Sequence, residues 1–148
     1  MTDLIISNDI IIGIDYRKSI LPIIDSAQSS IKILMYDWRW YEYDISCDVS
    51  LVNQSLISAH RRGVYVQAIT NNDIAKNQLL KLGIDARQWN KSKAMHAKCI
   101  VIDDRICVLG SHNLTQNAMG LNIEVSCVLS DEQSAKKLSA YFDNLWSL

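Results

Sequence analysis

At 148 residues the chain has the length of one domain with a sizeable core of its own. Its 49% hydrophobic and 21% charged residues are those of an ordinary globular protein, and its longest apolar runs are too short to span a bilayer. Fifteen Lys and Arg against sixteen Asp and Glu leave a net charge of −1, which excludes a globally basic surface and confines any polyanion contact to a local patch.

Taken in chain order, Leu4–Ile12 is isoleucine-rich and predicts a strand or short hairpin ended by Gly13. The same N-terminus has no basic n-region, and Ser7-Asn8-Asp9 breaks its apolar run, so it is a poor signal peptide. The chain as written is expected in the cytoplasm, unless a leader was removed. Ser19 is placed to cap a helix reaching about Ser29, with Pro22 in its first turn and Ile20, Ile23, Ile24 and Ala27 as its apolar stripe. Ile31–Tyr36 predicts a buried strand. Asp37–Asp44 follows, with two Trp, two Tyr and an Arg in eight residues. Trp38 and Trp40 are candidates to stack nucleobases or flank a substrate groove; the alternative is a lid or dimer contact that buries the rings.

Asp48–Arg62 predicts a helix with Val49, Val52, Leu56 and Ala59 at core spacing, ended by cations and Gly63. The cluster His60-Arg61-Arg62 reads as helix-dipole complement and solvated face before phosphate binding. Val64–Thr70 is the next strand, and a helix from Ile74 to Leu82 is capped by Asn72 or Asp73. Alternating strands and helices with short connections predict an α/β layered fold with a largely parallel portion. Gln88–Ala94 leads onward, and Lys91 and Lys93 are either solvated lysines or contacts to a substrate backbone. Beyond residue 113 come a short helix to Met119, a strand over Asn122–Leu129 with Ile123, Val125, Cys127 and Leu129 on one side, and a last helix. Ser130 with Gln133 suggests its capping box, and Ala135, Leu138, Phe142 and Leu145 its inward face. Cys47, Cys99, Cys107 and Cys127 lack C-x-x-C spacing and read as reduced thiols rather than as disulfides or a zinc site.

The chemistry gathers in Met95–Asn113. Apolar runs Cys99–Ile102 and Ile106–Leu109, split by Asp103-Asp104-Arg105, predict a β-hairpin. Side chains two apart share a strand face, so His96 and Lys98 project together about 7 Å apart. The return strand brings Gly110, Ser111 and Asn113 back beside them. An imidazole, an ammonium, a hydroxyl and an amide then converge on one small volume, which suits a phosphate. A neutral imidazole is a good nucleophile near neutral pH. It attacks phosphorus in line and gives a covalent phosphohistidine that water later resolves. Lys98, Asn113 and the Ser111 hydroxyl are suited to hold the phosphoryl oxygens, while Gly110 permits close backbone approach. The leaving oxygen needs a proton from the opposite side, hence a second imidazole. His112 shares a loop with Ser111 and Asn113 and cannot easily stand across from His96, so a two-fold dimer that pairs two copies of His96 is the economical solution.

The spacing H-x-K-x4-D-x6-G-S-x-N is matched without a gap and resembles the signature of the phospholipase D superfamily. It occurs once, which resembles the single-motif branch of bacterial endonucleases of about this size. The resemblance implies a mixed β-sheet flanked by helices on both faces, a single domain over the whole chain, and one site shared by two subunits. It also implies that a downstream glutamate, here Glu124, orients the histidine, and that the signature aspartate, here Asp103, is structural. In this family the loop after the second strand commonly carries small residues, and here it is bulky.

The resulting expectation is a phosphodiesterase needing no metal or other cofactor, an endonuclease on DNA or RNA acting as a homodimer without stable membrane association. A phospholipase or phosphatidyl-transfer enzyme of the same superfamily is the alternative, as is a catalytically silent nucleic-acid-binding or assembly module that keeps the motif as a phosphate grip.

Overall fold

The computed structural model describes residues 5–148. Seven strands form one sheet: β1 (Asp9–Ile12), β2 (Ser30–Met35), β3 (Tyr65–Thr70), β4 (Asp85–Gln88), β5 (Lys98–Ile102), β6 (Ile106–Gly110) and β7 (Val125–Leu129). Five helices pack on it: α1 (Tyr16–Asp25), α2 (Asp48–Arg61), α3 (Asp73–Lys81), α4 (Gln116–Gly120) and α5 (Glu132–Trp146). The strand order is β1-β7-β6-β5-β2-β3-β4. Strands β2, β3 and β4 run parallel, because α2 and α3 carry the chain back between them. The remaining pairs are antiparallel. This is the expected mixed α/β sheet with helices on both faces.

Strand alternation divides the core into two layers. Ile31, Ile33, Val66, Ala68, Ile100, Ile102, Val108 and Val128 face α1 to α4, where Ile20, Ile24, Val49, Val52 and Leu56 close over them. Leu34, Ile69 and Cys99 face α5 and meet Phe142, while Val101 and Cys107 meet Ala135. Lys32 crosses to that helix, its Nζ 2.9 Å from the Asp143 carboxylate and donating to Ser139 Oγ at 2.6 Å. All four cysteines are free. Burial pushes the Cys99 thiol up to about 11, against a backbone hydrogen bond at Leu34. Burial raises Cys107 too, so both stay protonated thiols at neutral pH.

Several local expectations need correction. The N-terminal strand begins at Asp9, and Leu4 lies outside the described residues. Helix α1 starts at Tyr16, so Ser19 is internal and Pro22 sits mid-helix, not in the first turn. A turn of 3-10 helix over Gly13–Asp15 feeds directly into α1, and burial of Ile20, Ile23 and Ile24 holds the proline within it. Asp131, not Ser130, caps α5, its carboxylate accepting the Ser134 N–H at 3.0 Å. Four-residue β4 escapes sequence reading because Asp85 and Arg87 interrupt its apolar pattern. In β7 Ser126 and Val128 are buried, and the side that carries Ile123, Val125, Cys127 and Leu129 is covered only over its distal half: Leu129 packs beside Ala135, whereas Ile123 is fully exposed and Val125 half exposed.

Candidate active site

Topology gathers the motif at one end of the sheet. The carboxyl ends of β2, β3 and β6 meet the entry to β5, and Glu124 immediately precedes β7. Ligands bind outside the carboxyl ends of strands in open α/β sheets for this reason. The segment before β5 is held extended, since the Tyr36 N–H donates to the Ala97 carbonyl at 3.0 Å and Asn71 Nδ2 to the Met95 carbonyl at 2.9 Å. His96 is exposed on this segment, its ring centroid 4.4 Å from that of Tyr36. Lys98 Nζ lies 3.0 Å from His96 Nδ1, donates to the His96 carbonyl at 2.9 Å, and sits 5.2 Å from the centre of the Tyr36 ring. Burial lowers the Lys98 pKa from the ordinary lysine value, and the charge of Glu124 opposes that shift.

The return loop supplies the other polar groups. Ser111 Oγ donates to Glu124 Oε2 and accepts the Val125 N–H at 3.0 Å. Glu124 Oε1 accepts from Asn122 Nδ2 at 3.2 Å. Glu124 is therefore half-buried and paired, not an uncompensated carboxylate inside a strand. Asn113 Oδ1 accepts the Asp37 N–H at 3.0 Å, which ties the motif loop to the aromatic loop. Gly110 is needed for packing: a Cβ there would overlap Ser126 and the Val125 carbonyl, so the close approach is to β7. Asp103 stands at the opposite end of the sheet. Its carboxylate accepts the backbone N–H groups of Gln28, Ser29 and Ser30 and the Ser29 hydroxyl, which binds the β5–β6 turn to the start of β2. Burial works to raise its pKa, but these donors prevail and hold it below the usual carboxylate range.

The remaining candidates separate. His112 is buried at 1% exposure and stacked on Tyr16, ring centroids 4.3 Å apart. Its Nε2 donates to the Gly13 carbonyl at 2.8 Å, so Nδ1 accepts from Ser126 Oγ at 2.7 Å and the neutral tautomer is set. Trp38 is a correction to the substrate-stacking expectation. It is fully buried, donates from Nε1 to Asn53 Oδ1 at 2.9 Å, and bridges to Leu114. Trp40 is half-buried and lines a cleft that begins at Asn113. Lys91 and Lys93 are exposed on the segment before His96. Lys91 borders a second cleft with Arg87, Trp89 and Leu145, and the Lys93 carbonyl accepts the Trp89 indole N–H at 2.7 Å. Neither lysine side chain is hydrogen-bonded to His96. Sequence reading missed Tyr36 and Asn71, whose signal was their place at the carboxyl ends of β2 and β3; Asn72 caps α3 as expected. Among the described residues, no group of three or more His, Cys, Asp or Glu is placed to hold a metal ion.

Sheet order and site together define a class, the layered α-β-α proteins that carry a histidine–lysine pair at the carboxyl edge of a mixed sheet. Within that class, a family model described as cardiolipin synthase, PLD-like domain, matches residues 20–146, and the chain belongs to this family of the phospholipase D superfamily. A mitochondrial cardiolipin hydrolase of Xenopus tropicalis is 31% identical over 136 residues, 85% of this chain and 64% of that protein. One of Chlamydomonas reinhardtii is 33% identical over 103 residues, 66% of this chain and 46% of that protein. The chain thus spans about half to two thirds of these relatives' lengths. Nuc from Salmonella typhimurium superposes with a TM-score of 0.80 at 23% identity, covering 95% of both chains. NucT from Helicobacter pylori does so with 0.78 at 24% identity, covering 95% of this chain and 96% of its own. At those identities the shared property is the fold.

Proposed function

We propose that the protein is a metal-independent endonuclease that cleaves DNA or RNA through a covalent phosphohistidine, in a site shared by two copies of the chain. One observation carries the reading: a single exposed imidazole, His96, stands against Lys98, while the motif loop's other imidazole, His112, is buried and committed to Gly13 and Ser126. His96 attacks phosphorus in line, and the bond to the leaving oxygen breaks as that of the new phosphoramidate forms. Lys98 and the free Asn113 NH2 hold the phosphoryl oxygens, while the Ser111 hydroxyl, expected to join them, gives its one O–H to Glu124 instead. Glu124, fixed by Ser111 and Asn122, supplies the negative charge that orients the site's cations. The proton for the leaving oxygen comes from His96 of the partner subunit, which then activates the water that releases the enzyme. Lys91 and Lys93 contact the substrate backbone on its way to His96.

His96→Ala is expected to lower turnover of oligonucleotides by at least about 10³-fold while binding persists. Equal activity in the variant would reject the nucleophile. Hydrolysis is expected to persist in EDTA, and complete loss there would reject the metal-free mechanism.

A lipid phosphodiester is the second reading. It is favoured by the relatives' names and by exposed Ile10, Ile12, Ile123 and Val125 beside Glu124. A panel of DNA, RNA and cardiolipin vesicles, run on wild type and His96→Ala, separates the two.

A further inference from the structure

The aromatic loop that departs from the family pattern forms one wall of a cleft, together with Asn72, Ile74, Asn113, Thr115, Asn117 and Asn122. Its composition is selective. Arg39 is paired internally with Asp37 at 3.0 Å, so those two charges largely offset each other within the lining. Trp40 offers a half-buried aromatic face, and Ile74, 58% exposed, an apolar one. The carboxamides are already anchored, which fixes what each has left to give. Asn72 spends its oxygen on the Ala75 N–H at 3.1 Å and Asn113 spends its own on the Asp37 N–H at 3.0 Å, so each keeps an NH2 donor. Asn122 spends its NH2 on Glu124 at 3.2 Å and keeps its oxygen as acceptor.

Fixed donors and an acceptor beside an aromatic ring, with the nearby charges paired, match the edge and face of a nucleobase. We propose that this cleft is a base-binding subsite for one nucleotide flanking the scissile phosphate, with Trp40 as its stacking platform and Asn72 and Asn122 as its edge readers. The proposal rests on the nuclease reading and adds to it. Because Asn122 also holds Glu124, which in turn holds Ser111, occupation of the cleft is linked to the geometry of the phosphate site.

Dinucleoside monophosphates test it, since each has one phosphodiester and either base can be replaced by an abasic sugar. Wild type is expected to lose about 5- to 100-fold in kcat/KM when one particular base is removed and much less when the other is. Trp40→Ala is expected to narrow that ratio to about twofold; Trp40→Leu, which keeps the packing, and Asn122→Ala should narrow it as well. Cleavage with the same wild-type rates for base-bearing and abasic substrates overturns the subsite and leaves the nuclease reading standing. An undiminished ratio in Trp40→Leu also overturns it. No cleavage of DNA, RNA or any dinucleotide, by an enzyme that hydrolyses bis(p-nitrophenyl) phosphate or cardiolipin vesicles, overturns both.

Discussion

Trp38 buries a complete indole and satisfies the side chain of Asn53, so its loss leaves both a cavity and a buried amide without a partner. Trp38→Ala is expected to cost about 3–5 kcal/mol, read as a shift of the denaturant midpoint. A cost below about 1 kcal/mol would mean that the ring is not packed as described. His112 shows the same logic in its ionisation. Burial holds its pKa below the ordinary histidine value, with the Gly13 carbonyl and the Glu124 charge pulling the other way. The unfolded chain takes up a proton below about pH 6.5 that the folded chain resists. The contribution is therefore complete above that pH and is lost as pH falls through the lower folded value. The melting temperature should decline from about pH 7 to pH 5, and less steeply in His112→Asn. The meeting of His96 with Lys98 and the return of the hairpin toward them were legible from spacing, because strand alternation and hairpin pairing are local geometry. The opposite fates of Trp38 and Trp40 were not, since nothing local says which indole finds Asn53.

At the scale of elements, the β5–β6 hairpin is a good case. Two apolar runs and a polar turn predicted it, and Asp103 and Asp104 adopt φ of 54° and 53°, the left-handed turn that suits a tight hairpin. The long-range use of Asp103, as acceptor for three N–H groups at the start of β2, is a tertiary contact. Its folded pKa lies below the unfolded value, so its contribution is present above about pH 3.9 and vanishes as pH falls through the folded value. Asp103→Asn should lower the melting temperature at neutral pH, and the gap to wild type should shrink in acid. Pro22 makes the complementary point within α1. It removes an amide hydrogen bond mid-helix, where proline costs about 3 kcal/mol against alanine, partly offset by its stiffening of the unfolded chain. Pro22→Ala should therefore raise stability by about 2 kcal/mol, read in a denaturant titration. Sequence reading set α1 a few residues too late because a proline suggests a helix start; burial of one apolar stripe overrides that preference.

For the whole molecule, the decisive feature is the surface left open beside the site. Ile10 and Ile12 pair in register with Cys127 and Val125, so their exposed side chains share a face with them and continue toward Ile123. A dimer formed through this patch would set a second copy beside Glu124 and the proposed phosphate site. Ile12→Lys combined with Ile123→Lys is expected to shift the protein toward monomer in light scattering and to make specific activity fall on dilution. A stable wild-type monomer at micromolar concentration, with full activity, would reject the shared site.

By itself the sequence determined the layered α/β class, the apolar stripes of α2 and α5, the hairpin, and the set of groups suited to a phosphate. Each is encoded in spacing, and spacing maps directly onto the periods of helix and strand. Tertiary structure alone decided which tryptophan is buried, which histidine is withheld, which face of β7 is covered and where the amide-lined cleft opens. Those outcomes depend on which segments meet across the sheet, and that meeting is set by packing between residues as far apart as Gly13 and His112.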